Sequence, residues 1–270
     1  MSDATSEDTM SATNPISILS ERLNGGEQLV LGWCALGDPS LAQALARVGF
    51  DAVLLDMQHG AYDLDAIRRG IALVALANKP TLVRIPVGEF ATVSRIFDAG
   101  AAGVVAPMIN SADDARALVD FAKYSPSGGR SWGPTPALAL SGMAPGDYLR
   151  AANGMHLAIA MIETRHALDA LDDILAVDGI DGVLVGPSDL SLALTDGTLI
   201  EPHSALVQAA LDRVLDRCRA HGKLATVFCA NGDRASELFA AGFQVCAAGT
   251  DAAIFDAAAR SALTAARTKP

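Results

Sequence analysis

The sequence predicts a single-domain α/β protein, a (β/α)8 barrel, on three observations. Apolar runs of strand length recur along the chain, Ala-rich amphipathic segments lie between them, and 270 residues is the usual size of one such barrel. Eight runs can be marked, at residues 29–36, 52–56, 81–85, 103–108, 157–162, 182–185, 224–229 and 244–248. Near-continuous apolar runs belong to strands covered on both faces, as in a parallel sheet wrapped by helices.

Residues that can cap a helix N-terminus precede the helical segments: Asp38 before Pro39, Asp63, Ser111 with Asp114 three residues on, Thr164 and Asp251. Helix ends are marked by glycine in RVGFDAVLLD, DAGAAGVVAP and AAGFQVCAAG, where a helix stops and the chain re-enters a buried strand. The barrel domain is expected over residues 16–270, behind a flexible acidic tail at 1–15 that lacks the basic and apolar regions of a secretion signal. The last helix, Asp251–Arg267, carries Ala, Ile, Phe and Leu around its circumference, a pattern that suits packing against a neighbouring subunit.

The alternation breaks between residues 125 and 153. The charge-free stretch from Ser131 to Gly146 is interrupted by Pro134, Pro136, Gly142 and Pro145, so it reads as a loop and not as a membrane span. Within the break, SPSGGRSWGP sets glycines beside Arg130, either as an anion cradle or as a plain surface loop.

Composition narrows the partners. A hydrophobic fraction of 51% supplies a large core, while a net charge of -11 argues against nucleic acid and anionic membranes. Cys34, Cys218, Cys229 and Cys246 lie far apart with no CxxC pair, which predicts reduced, buried thiols in a cytoplasmic protein rather than disulfides or a zinc site.

In a barrel of this kind the active site is built where the strands end. Strand 2 ends LLDMQHG with Asp56, Gln58 and His59, strand 3 carries Arg84, strand 5 ends AMIET with Glu163, and strand 6 ends VGPSD with Asp189. Glu163 and Asp189 close adjacent strands, and two hard carboxylates with water and substrate oxygens suit Mg2+, Mn2+ or Co2+. The alternative is that Glu163 opens the next helix and Asp189 caps a turn. Arg84 inside TLVRIP requires a partner, either a core carboxylate or a substrate oxyanion. His59 is a structural imidazole or a proton-transfer group, and a carboxylate such as Asp56 could orient it.

Taken together, GFDAVLLDMQHG, LVRIP, FDAGAAGVVAPMINSADDARALV, MIETRHALDALDDILAVDGIDGVLVGPSDLS and the AAGT near the end resemble the HpcH/HpaI aldolase family, also called the 2,4-dihydroxyhept-2-ene-1,7-dioic acid aldolase family. The match covers about residues 28–260. The resemblance implies a divalent-metal-dependent class II aldolase that cleaves or forms 4-hydroxy-2-oxo acids through a pyruvate-type enolate and an aldehyde. It implies His59 as catalytic base, Glu163 and Asp189 as metal ligands, Arg84 as the group that stabilises the enolate, and Asp98 as an acid that supports the histidine. Gly186, Pro187 and Ser188, with Asp189, fall where the family contacts the substrate carboxylate. A homo-oligomer, most simply a hexamer, and a place in aromatic-compound catabolism are implied in the same way.

Two positions depart from the family pattern. Met161 stands where many members carry Gln, which removes a side-chain donor, and Gln58 stands where some carry Glu. Lys79, Lys123 and Lys223 all fall away from strand ends, so a Schiff-base aldolase is disfavoured. The competing activities are a citrate lyase-type or acyl-CoA ester lyase and an oxaloacetate decarboxylase, and the non-enzymatic alternative is a catalytically silent ligand-binding barrel.

Overall fold

Eight parallel strands close into a barrel in strict sequence order, with β1 pairing to both β2 and β8. The computed structural model describes residues 14–267, so nearly all of the expected tail at 1–15 lies outside the described residues. The strands are β1 Leu29–Cys34, β2 Ala52–Asp56, β3 Thr81–Arg84, β4 Gly103–Ala106, β5 Leu157–Ile162, β6 Gly182–Val185, β7 Leu224–Val227 and β8 Val245–Thr250.

The two-residue period of the strands sorts their side chains into two cores. Val53, Leu55, Val83, Val104, Ala160, Val183 and Val185 point outward into the layer beneath the helices. Leu31, Trp33, Leu54, Leu82, Val105, Ile159, Met161 and Leu184 point inward and fill the barrel. Leu19 and Leu23 of the first helix, Ile18–Asn24, join the inward set and close the N-terminal end. Burying one such Leu or Ile side chain stabilises the fold by about 2 kcal/mol. The same inward parity, continued past the last barrel layer, delivers Asp56, Arg84, Glu163, Gly186 and Phe228 to the C-terminal mouth.

The caps at Asp38, Asp63, Ser111 and Thr164 form as expected, each side chain accepting an amide from its own first turn. Asp251 is used differently. Its carboxylate accepts from Ala35 N and Leu36 N, tying the start of the last helix to the chain leaving β1. Gly100 and Gly242 end their helices at φ 105° and 116°, conformations that cost other residues strain.

The reading of residues 125–153 as a loop is corrected. Two helices form there, Thr135–Ser141 and Pro145–Met155. Of the prolines that look like breakers, Pro134 is the N-cap of the first helix and Pro136 and Pro145 sit in first turns, where a missing N–H costs nothing, and Gly142 ends the first helix at φ 65°. The anion cradle is corrected as well. Arg130 donates to Asp98 at 2.7 Å and lies between the rings of Phe97 and Tyr124. A side chain on Gly128 would come within 2.5 Å of the carbonyls of Val119 and Lys123, so this glycine serves close packing.

All four cysteines are free and buried. The last helix, Asp251–Arg267, leaves the barrel surface, and beyond Ala252 every described residue of it is exposed, Phe255 to 67%. Among the described residues no helix is long and apolar enough to cross a membrane.

Candidate active site

A cavity of about 270 Å³ opens at the C-terminal mouth. Asp56 organises its floor. The carboxylate takes two hydrogen bonds from Arg84, Nε to Oδ1 at 2.9 Å and Nη2 to Oδ2 at 2.5 Å, and a third from Trp33 Nε1 at 3.2 Å. Its Oδ1 also accepts the backbone amides of Gln58 and His59. Burial by itself pushes the Asp56 carboxyl up, but the hydrogen bonds and charge of Arg84 outweigh it and hold the group below the usual carboxylate range.

Arg84 therefore has both of the readings open to it. Its Nε and Nη2 are committed to Asp56, its Cζ lies 4.8 Å above the Trp33 ring, and its remaining edge lines the cavity. A guanidinium fixed on one side by a carboxylate and beneath by an aromatic face is preorganised to meet an oxyanion. His59 is exposed at the rim, and its link to Asp56 is through the backbone amide at 3.3 Å and not through the imidazole. Asp56 thus sets where the His59 backbone lies and leaves the ring free.

Glu163 follows β5 directly and is 2% exposed. Its Oε1 accepts Met108 N at 2.7 Å, from a residue held at φ 57°. Its Oε2 faces Gly186, where a Cβ would stand 2.8 Å away. Burial pushes the Glu163 carboxyl up, the Met108 amide partly offsets this, and the charge of Asp189 raises it further. Asp189 is exposed at the cavity wall in the first turn of the helix Pro187–Leu194. A buried carboxylate whose ionisation is made harder by burial and by a second carboxylate beside it, and whose free oxygen opens to space left by a glycine, fits a hard divalent cation. Among the described residues no cluster of three or more His, Cys, Asp and Glu is in reach of one ion, so water and substrate must supply the other ligands.

His59, Arg84, Gly186, Pro187, Ser188 and Asp189 line one cavity, and Glu163 adjoins it behind Gly186. Asp98 is not brought there. It lies near the end of the helix Ala91–Ala99, which runs back from the mouth to the N-terminal face, and its carboxylate is paired with Arg130. Met161 is buried at the cavity wall, its Cε 3.1 Å from a Cβ built on Gly186, so a thioether occupies the place of the missing donor. Gln58 keeps a buried Oε1 without a partner among the described residues.

Sequence reasoning missed Trp33 and Phe228, whose rings meet edge to face at 5.1 Å in the cavity wall. Their inward parity at the tops of β1 and β7 was the available signal. Among the described residues no lysine lines the cavity.

The arrangement is that of a barrel with a polar cavity at its C-terminal mouth, where Arg84 could meet an oxyanion and Glu163 with Asp189 could hold a hard cation. Residues 29–258 match the model of the family described as HpcH/HpaI aldolase/citrate lyase. The chain is 39% identical over 245 residues to a hydroxypyruvate/pyruvate aldolase of Rhizorhabdus wittichii, covering 90% of this chain and 96% of that protein. It is 32% identical to a 4-hydroxy-2-oxo-heptane-1,7-dioate aldolase of Salmonella dublin, covering 86% and 87%. A solved HpcH/HpaI aldolase/citrate lyase family protein from Burkholderia cenocepacia superposes with a TM-score of 0.84 at 31% identity, covering 93% and 100%. The chain belongs to the HpcH/HpaI aldolase/citrate lyase family, and its barrel and relatives support a class II aldolase, a carbon–carbon lyase.

Proposed function

We propose that the protein cleaves and forms 4-hydroxy-2-oxo acids, with pyruvate or a similar 2-oxo acid as one half and an aldehyde as the other. The observation that carries this reading is the meeting of Arg84, His59 and the Glu163–Asp189 pair around one cavity. Mg2+, Mn2+ or Co2+ held by Glu163 and Asp189 would supply Lewis acidity to the 2-oxo group and carboxylate of the substrate. The amides at the start of the helix Pro187–Leu194 favour that carboxylate, since the first turn of a helix has free N–H groups.

In cleavage, His59 takes the proton from the 4-hydroxyl. The C4–O bond becomes the aldehyde carbonyl, the C3–C4 bond breaks, and its electron pair forms the C2–C3 double bond of an enolate. Arg84 faces the enolate oxygen, and a proton returned to C3 completes pyruvate. Deleting an oxyanion donor of this kind costs about 100-fold or more in turnover. Asp98 can support His59 only from another copy of the chain, because within one chain the two residues lie on opposite faces of the barrel.

The test is exchange of the methyl protons of pyruvate with solvent. Exchange that is stimulated by metal, stopped by EDTA and restored by Mg2+, Mn2+ or Co2+ supports the reading, and full activity in EDTA with no metal bound overturns it. A cytoplasmic homo-oligomer, most simply a hexamer, belongs to the same reading. The exposed apolar side chains Ile254, Phe255 and Leu263 on the last helix support an intersubunit contact. A monomeric mass by light scattering at micromolar concentration would rule it out.

A further inference from the structure

Two of the buried cysteines stand together in the barrel wall. Cys246 lies on β8 opposite Val227 of β7, and Cys229 comes two residues after Val227, so both side chains enter the outward core on neighbouring strands. The Gly249 amide donates to Cys229 O at 2.9 Å and holds the end of β7 against β8. The two sulfurs are in S–H···S contact, with Cys246 as donor. Cys34 and Cys218 lie elsewhere, on β1 and on the helix Ala205–His221.

Cys229 also forms part of a chamber of about 40 Å³ that adjoins the catalytic cavity, with Pro187, Ser188 and Phe228 lining both. A space of roughly 10–15 Å³ holds one water. The chamber therefore takes a molecule of two oxygens, such as hydrogen peroxide, and excludes bulkier oxidants. Its polar side is His203 and Arg234, the guanidinium anchored by Gln208 Oε1 at 2.5 Å and Glu237 at 2.7 Å. The hydrogen bond from Cys246 holds the Cys229 thiol below its usual range; burial opposes this and the charge of Arg234 adds to it. Cys246, donor of that bond and itself buried, is pushed far up and keeps its proton. A thiolate beside a protonated thiol is an arrangement in which the first is oxidised and the second resolves it.

We propose that Cys229 and Cys246 are a dithiol oxidised by hydrogen peroxide, whose disulfide deforms the wall of the catalytic cavity at Phe228. The Cys229 thiolate attacks one peroxide oxygen, the O–O bond breaks, and the departing hydroxide takes a proton from solvent, leaving a sulfenic acid and one water. Cys246 then gives up its proton and its sulfur attacks the Cys229 sulfur. The S–O bond breaks, and the departing hydroxide with a proton becomes a second water. Each sulfur loses one electron, and the two peroxide oxygens take up the pair. A disulfide brings its sulfurs to about 2.05 Å and its Cβ atoms to about 3.5–4.5 Å. The two cysteines are offset by two residues along the ladder, so closing the bond draws the end of β7 along β8. Phe228, the residue before Cys229, packs edge to face on Trp33 at 5.1 Å in the cavity wall and moves with it.

The experiment treats the Mg2+-loaded protein with hydrogen peroxide, removes the excess with catalase and digests with trypsin, which cuts after Lys223, Arg234 and Arg260 and so separates the two cysteines. Peptides 224–234 and 235–260 should appear as a disulfide-linked pair that dithiothreitol releases. Cys246→Ala should stop at a sulfenic acid on Cys229 that dimedone traps, and Cys229→Ala should leave Cys246 unlabelled. With free cysteine as the standard, tert-butyl hydroperoxide should lag hydrogen peroxide at Cys229 by a further ~10-fold or more, because access limits it. The linked protein should lose ~10-fold or more of its pyruvate methyl-proton exchange, since small displacements in an active site are costly, and dithiothreitol should restore it. Trp33 fluorescence in a Trp132→Phe background should shift in parallel. Absence of the linked pair when free cysteine is fully oxidised, dimedone on Cys246, discrimination between the two peroxides no greater than that of free cysteine, or an unchanged Trp33 signal on linkage overturns the inference, as does undiminished exchange in the linked form. Absence of exchange in the reduced protein overturns the aldolase reading instead, and linkage and fluorescence then decide the dithiol by themselves.

Discussion

Both ends of the barrel bury charged side chains, and the two ends differ in whether bonding capacity left over on those side chains faces a cavity. At the N-terminal face Lys123, 1% exposed, directs its three N–H bonds to Asn153 O at 2.7 Å, His156 O at 2.6 Å and Asp181 Oδ2 at 2.7 Å. His156 uses both ring nitrogens, and Arg130, paired with Asp98 between two aromatic rings, leaves its Nε without a partner among the described residues, an atom that is itself buried. At the C-terminal face buried Arg84 keeps one edge free and buried Glu163 one oxygen, while the ring of His59 stands exposed at the rim above them. A buried charge whose valences are filled holds the fold, and one with a valence open toward a cavity is available to a substrate or an ion.

The sharpest way to break this contrast is to remove an open valence and look for a cost in stability. Glu163→Gln should lower turnover by about 1000-fold, since a Lewis-acid site is worth several kcal/mol. The same change should leave the urea midpoint of the metal-free protein unchanged or higher. The sign follows from the raised Glu163 carboxyl: its contribution to stability is present at low pH and is lost as pH rises through its folded value, and Gln removes that loss. A large drop in the midpoint would show that Glu163 holds the fold.

The converse experiment fills the other half of the comparison. Lys123→Met should destabilise the protein by about 3 kcal/mol, because it strands Asp181 and two carbonyls that now share one ammonium. The folded fraction should turn over at the wild-type rate. A loss under about 1 kcal/mol, the range of exposed pairs, would mean that the network is not the structural unit its saturation implies.

How much of this was legible in the sequence follows the same division. Strand ends expose His59, Arg84, Glu163 and Asp189 because a polar residue that closes an apolar run has few other places to go. The pairing of Arg84 with Asp56 was legible only as a need for some partner. The commitment of Arg130 to Asp98 was not legible at all, since each looks like a free charge until the helix Ala91–Ala99 is seen to carry Asp98 to the far face. Trp33 and Phe228 were hidden for the opposite reason, as apolar residues within apolar strands. The helices of residues 135–155 were missed because first-turn prolines and breaking prolines have the same letter.

The smallest expected effect concerns His156, which distinguishes a saturated neutral group from a saturated charged one. Ala101 O can only accept, so Nδ1, 2.8 Å away, carries the proton, and Nε2 accepts from Tyr148 Oη–H at 2.7 Å. Complete burial holds the imidazole far below its usual range, and the charges of Arg130 and Lys123 push it further down against the Ala101 hydrogen bond. The unfolded chain protonates this residue near pH 6.5, about the value of a free imidazole, whereas the folded chain does not. Below that pH the unfolded state binds one more proton, so stability should fall by about 1.4 kcal/mol per pH unit until the folded value is reached. His156→Gln should be less stable at neutral pH and should lack this acid limb. Urea titrations at stepped pH, with activity followed in parallel, separate the two faces: wild type and variant falling in parallel between neutrality and pH 5 would show that the acid sensitivity lies elsewhere.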